Sequence, residues 1–169
     1  MQKNGFHTVR GYQLLEQEKK LLTSAMEDYL EMISRNIREE GYMRINILSE
    51  LLNVKPSSAT KMVQKLTDLG LLDYKKYGII FLTGKGEEIG KFLLNRHNII
   101  EEFLKKIGIK ENLLIETELI EHNVSANTLK NIKLLNTFLE MHPEVVKEFE
   151  EFKVSDHSIE DLLSLEQPE

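Results

Sequence analysis

Residues 54–86 read VKPSSATKMVQKLTDLGLLDYKKYGIIFLTGKG, and this stretch decides the fold of the chain. Pro56 is a residue typical of the first turn of a helix, and Gly70 is typical of a helix end. The pattern therefore predicts a helix from Ser57 to Leu69. The strand-forming residues that follow are interrupted at Tyr77-Gly78, which predicts a β-hairpin with a tight turn.

The two faces of the predicted helix differ in chemistry. The inward stripe consists of Ala59, Met62, Val63 and Leu66. The outward face carries hydroxyl, amide and ammonium groups and no acid, and such groups can bind phosphates and base edges in a major groove. An ordinary amphipathic helix has a similar pattern, but the basic hairpin favours a DNA-binding unit. The predicted DNA-contacting residues are Ser57, Ser58, Thr60, Lys61, Gln64, Lys65, Lys75 and Lys76.

Two short elements precede this stretch. Tyr42–Ile45 is predicted to be a strand, and Asn46 is a plausible N-cap for a helix over Ile47–Leu52. Two helices joined by a short turn and followed by a hairpin form a winged helix-turn-helix. Upstream, Ser24-x-x-Glu27 has the pattern of a capping box and predicts the start of another helix.

The second half of the chain is predicted to be helical throughout. Gly84-Lys85-Gly86 is expected to break the chain before a long helix. The predicted helices run from about Glu87 to Lys106, over Ile115–Asn123, from Ser125 or Asn127 onward, and from Pro143 to Phe149.

The bulk composition restricts the class of protein. The chain has 169 residues, of which 41% are hydrophobic and 30% charged, as expected for one globular domain or two small ones. It contains no cysteine, which excludes disulfides and thiolate metal ligands. No apolar run approaches the roughly 18 residues of a membrane span. The N-terminus lacks the apolar core of a secretion signal, so we expect a cytoplasmic protein.

The net charge of −6 hides an uneven distribution. From Arg44 to Lys91 the chain carries eight basic and five acidic residues, so this segment is +3 while the remainder is −9. The mildly basic segment coincides with the predicted DNA-binding unit. Bound cations would offset part of the acidic excess elsewhere.

The acidic excess includes one group with the spacing of metal ligands. Ile115–Val124 reads IETELIEHNV, and Glu118, Glu121 and His122 stand at i, i+3 and i+4, on one face of a helix. Carboxylate oxygen and neutral imidazole nitrogen are common ligands of divalent cations. A solvated acidic face would have the same pattern.

Further candidate ligands lie upstream on other predicted helices. Asp28 and Glu31 are spaced i, i+3, and His97 borders the apolar face of the long helix. Taken alone, Asp28 and Glu31 have the pattern of a solvated acidic pair, and His97 has that of a core histidine. Their occurrence together favours a metal site.

Five segments in this order resemble the metal-dependent repressors of the diphtheria-toxin-repressor (DtxR) type, in particular their manganese-responsive, MntR-like branch. The segments are SAMEDYLEMI, PSSATKMVQKL, YKKYGIIFLTGKG, RHNIIEEFL and IETELIEHNVS, within residues 24–140. The resemblance implies a mostly α fold: an N-terminal winged helix-turn-helix with a short hairpin wing, followed by an all-helical metal-binding and dimerisation domain. It implies a DNA-binding domain over 24–86 and a metal-binding domain over 87–169. Residues 1–23 form an N-terminal extension that the resemblance does not cover and that is predicted to be partly helical. The SH3-like domain of longer members is not expected.

The resemblance also implies a ligand set and a metal. The six metal ligands would be Asp28, Glu31, His97, Glu118, Glu121 and His122, holding two ions in each subunit. Iron-responsive relatives place sulfur-bearing residues at the positions of Asp28 and Glu118, whereas both are oxygen donors here. This difference favours Mn²⁺, with Fe²⁺ as an alternative.

The function that follows is a homodimeric repressor of metal-ion homeostasis that binds operator DNA with Mn²⁺ as co-repressor, and not an enzyme. Part of the dimer face is predicted to consist of Leu129, Ile132, Leu135 and Leu139. Two other classes of protein share parts of this pattern. A di-metal oxidase would need paired Glu-x-x-His motifs on four long helices. A metal-independent winged-helix regulator would make the acidic cluster incidental.

Overall fold

The computed structural model describes residues 22–37 and 41–155, and these residues form two compact units. Described residues up to Arg96 belong to unit 1, and those from His97 onward belong to unit 2. The helices are α1 Ser24–Asn36, α2 Ile45–Leu51, α3 Pro56–Asp68, α4 Gly84–Lys106, α5 Leu113–Glu121, α6 Ala126–Met141 and α7 Pro143–Ser155. The strands are β1 Met43–Arg44, β2 Leu72–Lys75 and β3 Ile79–Leu82. The predicted N-terminal extension lies outside the described residues, apart from Leu22 and Thr23.

Helix α1 begins one residue earlier than the capping-box pattern predicts. Thr23 is the N-cap, and its Oγ1 accepts a hydrogen bond from the Met26 amide at 3.4 Å. Both Thr23 and Ser24 have a hydroxyl suited to this position, which explains the shift. Leu30 and Ile33 on this helix are fully buried.

Helices α2 and α3 form the helix-turn-helix. Helix α2 begins at Ile45, directly after Arg44, so the predicted N-cap at Asn46 is wrong; the Asn46 carbonyl instead accepts a hydrogen bond from Ser49 Oγ. The predicted inward stripe of α3 is confirmed, with three of its four residues fully buried and Met62 half-buried. Burial of this stripe holds α3 in place and leaves its opposite face to solvent.

The hairpin that follows is confirmed as a wing. The three strands form an antiparallel sheet in the order β1-β3-β2, with Met43 opposite Ile80 and Leu72 opposite Leu82. The tip is a single 3₁₀ turn over Lys76–Gly78. Gly78 is required there, because a Cβ at this position would lie 2.6 Å from Cγ2 of Ile45.

Helix α4 starts three residues earlier than the sequence pattern predicts. Gly84 and Gly86 belong to its first turn, and Thr83 caps this turn by accepting a hydrogen bond from the Gly86 amide at 3.1 Å. A Cβ on Gly86 would lie 1.9 Å from the Leu71 carbonyl oxygen. The glycine therefore permits close packing of the helix rather than breaking the chain.

Unit 2 contains the end of α4 and three more helices. Gly108, with φ of +92°, follows the end of α4, and Ser125 is the N-cap of α6 as predicted. Helix α7 continues to Ser155, six residues beyond the predicted end at Phe149. Its last turn is held by Lys153, whose Nζ donates to the Ile107 carbonyl at 3.1 Å. None of the helices in the described ranges is long and apolar enough to cross a bilayer.

Candidate metal centre and nucleic-acid interface

In unit 1 the candidate ligands Asp28 and Glu31 lie one turn apart on α1. Glu31 is buried, and its Oε1 accepts a hydrogen bond from Nη2 of Arg35 at 2.7 Å. The i, i+4 spacing of Glu31 and Arg35 brings this pair together along the helix. One carboxylate oxygen of Glu31 therefore already contacts a cationic group.

In unit 2 the structure brings three of the predicted ligands together. Nδ1 of His97 on α4 lies 3.1 Å from Oε2 of Glu121 on α5, and Nε2 of His122 lies 3.9 Å from Oε1 of the same carboxylate. Glu121 is buried, with 2% of its surface exposed. Glu118 lies one turn earlier on α5 and is exposed, outside this group of contacts.

The chemistry of this group fits a divalent cation. Each oxygen of the Glu121 carboxylate faces an imidazole nitrogen, and both residue types are suitable ligands of first-row divalent metals. Adjacent ligands of an octahedral ion with bonds of about 2.1 Å are separated by about 3 Å. The 3.1 Å separation of His97 and Glu121 is close to that value. The contact can be made through a proton or through a shared metal ion.

A second charged cluster in unit 2 joins α4 to α6. Lys106 on α4 donates to Glu102 at 2.6 Å and to the backbone carbonyl of Asn136 on α6 at 2.7 Å. Partial burial acts to raise the pKa of Glu102, but the Lys106 hydrogen bond and the charge of Lys133 outweigh it. The net effect is a pKa below the usual glutamate value. Asn136 is fully buried and donates to the Ile99 carbonyl at 2.9 Å, which ties the same two helices.

The predicted DNA-contacting residues of α3 lie mostly on its exposed face. Ser57, Ser58, Lys61, Gln64 and Lys65 are exposed, and Thr60 is half-buried. One contact differs from the sequence-based picture of an acid-free surface. Gln64 Nε2 donates to Asp68 at 3.0 Å, one turn later on the helix. The lysine ammonium groups of this face remain available for phosphate contacts.

The wing presents two lysines and a tyrosine. Lys75 forms an ion pair of 2.7 Å with Asp73, which offsets part of its charge, whereas Lys76 is exposed at the turn. Tyr77 has φ of +66° and 91% of its surface exposed. This left-handed backbone conformation, uncommon for a bulky residue, holds the phenol ring out at the tip.

The predicted dimer residues on α6 differ in exposure. Leu135 is exposed, Ile132 and Leu139 are half-buried, and Leu129 is buried within the protomer. The other exposed large apolar residues of α6 are Leu134, Phe138 and Met141. Helix α6 therefore carries an apolar surface larger than the four predicted residues indicate.

A winged helix joined to a helical unit that gathers carboxylate and imidazole groups defines the class of metal-responsive DNA-binding transcriptional regulators, which are not enzymes. The chain belongs to the iron dependent repressor family. The family's N-terminal DNA-binding domain matches residues 21–80, and its metal-binding and dimerisation domain matches residues 83–150.

Two relatives show how similar the chain is to other members. It is 44% identical to the HTH-type transcriptional regulator MntR of Lysinibacillus sphaericus, over 78% of this chain and 95% of that protein. It is 45% identical to the regulator of the same name from Bacillus subtilis, over 71% of this chain and 85% of that protein.

Two solved structures share the fold. The metal-dependent transcriptional regulator MtsR matches 67% of this chain and 54% of its own, with a TM-score of 0.61 and 25% identity. The manganese regulator SloR matches 66% of this chain and 53% of its own, with a TM-score of 0.58 and 28% identity. The chain thus spans about half the length of these two solved chains.

Three charged residues near the candidate ligands were missed at the level of sequence. Arg35 contacts Glu31, while Arg96 Nη2 contacts Oε2 of Glu27 at 2.9 Å within unit 1. The i, i+4 spacing of Glu31 and Arg35 could have revealed the first pair. The second pair joins residues 69 positions apart and leaves no local sequence signal.

Proposed function

We propose that this protein is a homodimeric, Mn²⁺-responsive repressor of genes for metal-ion homeostasis, with Mn²⁺ as co-repressor at a site for two ions in each subunit. The observation that carries the proposal is the buried Glu121 carboxylate between the imidazoles of His97 and His122. A buried carboxylate beside two imidazole nitrogens is costly to maintain as a purely structural feature, but these groups are suited to binding a cation.

The ligand set in this proposal contains six residues. Unit 2 supplies His97, Glu118, Glu121 and His122, while α1 of unit 1 supplies Asp28 and Glu31. All carboxylate and imidazole ligands are hard or borderline donors, which suits Mn²⁺. The relatives named MntR and the solved manganese regulator SloR support the same metal. The family description, iron dependent repressor, makes Fe²⁺ the second candidate.

The mechanism we propose couples metal binding to the position of the DNA-reading helix. Bound Mn²⁺ would supply positive charge that offsets the repulsion among the four carboxylates. Asp28 and Glu31 lie on α1, in the same unit as α3, so their participation in the ligand set would restrict how the DNA-reading unit moves. Two α3 helices in a dimer must match successive major grooves, about 34 Å apart. A coupling of about 1–3 kcal/mol would make DNA affinity follow the metal concentration.

The contacts proposed for DNA are those of α3 and the wing. The exposed hydroxyl, amide and ammonium groups of α3 would enter the major groove, and Lys75 and Lys76 would lie along the phosphate backbone. The exposed apolar residues of α6, including Leu135, would form part of the dimer face.

The experiment that tests this function is a titration of DNA binding with different metals. A duplex selected from a random library by the Mn²⁺-loaded protein serves as the operator, and its binding is followed by fluorescence anisotropy with Mn²⁺, Fe²⁺ and Zn²⁺ in parallel. We expect tight binding with Mn²⁺ and weak binding in chelator. Equal affinity with and without metal would refute metal-responsive repression, and a response to Fe²⁺ alone would replace the proposed metal.

A further inference from the structure

A buried ion pair in unit 1 connects two helices that carry candidate metal ligands. Nη2 of Arg96 on α4 lies 2.9 Å from Oε2 of Glu27 on α1, and only 5% and 11% of the two side chains are exposed. Glu27 directly precedes Asp28 in the chain, and Arg96 directly precedes His97. Each partner of the pair is thus the neighbour of a candidate ligand.

Stability alone is a weak reason for such a pair. Removing two charges from water is expensive, and apolar residues of similar volume often serve a folded protein equally well or better. An ion pair differs from an apolar contact because its energy depends on the distance between the charged groups and on their orientation. It can therefore fix both the rotation of one helix about its axis and its position along that axis relative to a neighbouring helix.

A second close contact shows that α1 and α4 are held in one alignment. A Cβ on Gly90 of α4 would lie 2.7 Å from Cβ of Ser34 on α1, so the two backbones approach closely there. Glu27 and Ser34 are separated by about 10 Å along α1, and Gly90 and Arg96 by about 9 Å along α4. The distance between the two contacts is therefore similar along both helices. The later residue on α1 pairs with the earlier residue on α4, so the two helices run antiparallel. They bracket Asp28 and Glu31, which lie between them on α1.

We propose that Glu27 and Arg96 are positioning residues for the metal site, rather than ligands. The pair fixes the rotation and the axial position of α1 relative to α4, the helix that continues into His97. The carboxylates of Asp28 and Glu31 are thereby presented to the metal in one orientation. The proposal rests on the proposed function, because it assumes that Asp28 and Glu31 are ligands. It adds two residues that determine how tightly those ligands bind.

The test measures Mn²⁺ affinity and folding stability side by side. Mn²⁺ binding is measured by calorimetry and by the electron paramagnetic resonance signal of free Mn²⁺, and stability by urea unfolding in chelator. Glu27→Gln removes one charge while keeping the side-chain shape. We expect it to weaken Mn²⁺ binding by about 10-fold or more, as is typical for a residue that orients a metal ligand. An unchanged Mn²⁺ affinity in the folded variant would overturn the proposal.

A double variant separates positioning from stability. Glu27→Met with Arg96→Met fills the same space with apolar side chains and leaves no buried charge, so it is expected to fold even if Glu27→Gln does not. We expect stability equal to or above that of the wild type and Mn²⁺ affinity at least about 10-fold lower. If both stability and Mn²⁺ affinity match the wild type, the pair has no positioning role.

The matched control is an ion pair on the exposed side of the same helix. Lys91 and Glu87 lie 2.6 Å apart on α4, with 63% and 54% of their side chains exposed. Glu87→Gln should leave Mn²⁺ affinity and stability nearly unchanged, and an equal loss in this control would overturn the proposal by indicating a general charge effect. The wild-type titration distinguishes failure of the positioning role from failure of the proposed function. If the wild type binds no Mn²⁺, the proposed function itself fails.

Discussion

Nδ1 of His97 lies 3.1 Å from Oε2 of Glu121, although the two residues stand 24 positions apart and belong to different helices. The contact brings a ligand predicted on the long helix α4 next to the acidic helix α5. Glu121 also faces His122 through its other oxygen. The buried carboxylate is thus the central group of unit 2's share of the candidate metal centre.

Replacement of Glu121 tests that role most simply. Glu121→Gln keeps the shape of the side chain but removes its charge, so Mn²⁺ binding should weaken by at least about 10-fold, since even outer partners of metal ligands often contribute that much. Calorimetry with Mn²⁺ measures the change. Glu116→Gln, on an exposed position of the same helix, is the control and should behave as wild type.

A lysine on α3 should contribute to DNA binding without affecting the metal. Lys65→Ala is expected to weaken DNA binding in the presence of Mn²⁺ and to reduce the slope of log affinity against log salt by about 1, because one phosphate contact is lost. Anisotropy titrations at several salt concentrations measure the slope. Lys130→Ala on α6 serves as the control, and an equal effect there would contradict a specific role of α3.

The Glu102 cluster makes stability dependent on pH. The folded-state pKa of Glu102 lies below the usual glutamate value, since Lys106 and Lys133 outweigh the effect of partial burial. Its stabilising contribution is therefore present above the unfolded-state pKa and is lost as the pH falls through the lower folded-state pKa.

Glu102→Gln should accordingly be less stable than wild type at pH 7, by up to about 1 kcal/mol for a pair of this exposure. The difference should shrink as the pH falls below 4.5. Urea unfolding across this range in chelator provides the measurement. Glu148→Gln on α7 is the control, and a gap between wild type and Glu102→Gln that persists at low pH would be inconsistent with the assigned ion pairs.

Replacing each of the two glycines in the first turn of α4 with alanine should have different effects on the stability of the protein. Gly86→Ala places a Cβ 1.9 Å from the Leu71 carbonyl oxygen and should destabilise the protein by about 1–3 kcal/mol or more. Gly84 has nothing within 4 Å of the corresponding position. Gly84→Ala should therefore be neutral or stabilising by about 0.5–1 kcal/mol. Thermal unfolding of both variants compares them directly, and equal stabilities would contradict the packing described.

The order of the helices and the wing could be predicted because their signals are local. The apolar stripe of the sequence identified the buried face of α3, and the interrupted run of strand residues identified the hairpin. Errors arose where one local signal had two explanations. Gly84 and Gly86 have the composition of a chain break, but Gly86 is needed for close approach to Leu71. Thr23 and Ser24 both have a hydroxyl that can cap a helix, and the chain uses Thr23.

The candidate site could be predicted in part, for a similar reason. The spacing of Glu118, Glu121 and His122 is visible within one helix. The other candidate ligands were noticed by residue type, and the resemblance to a family joined them into one ligand set. The ion pair of Glu27 and Arg96 was not predicted, because a contact between residues 69 positions apart depends on tertiary packing. Glu27 also fits the capping-box pattern Ser24-x-x-Glu27, which gives a local explanation for a glutamate at this position.

We propose that carboxylates of unit 1 and donors of unit 2 serve the same metal ions, and that metal binding thereby controls DNA binding. The most direct measurement is operator binding as a function of Mn²⁺ concentration for the variant Asp28→Asn with Glu31→Gln, compared with wild type. We expect that the variant folds, binds DNA weakly and non-specifically, and shows no enhancement by Mn²⁺. Mn²⁺-enhanced binding equal to that of wild type would contradict it.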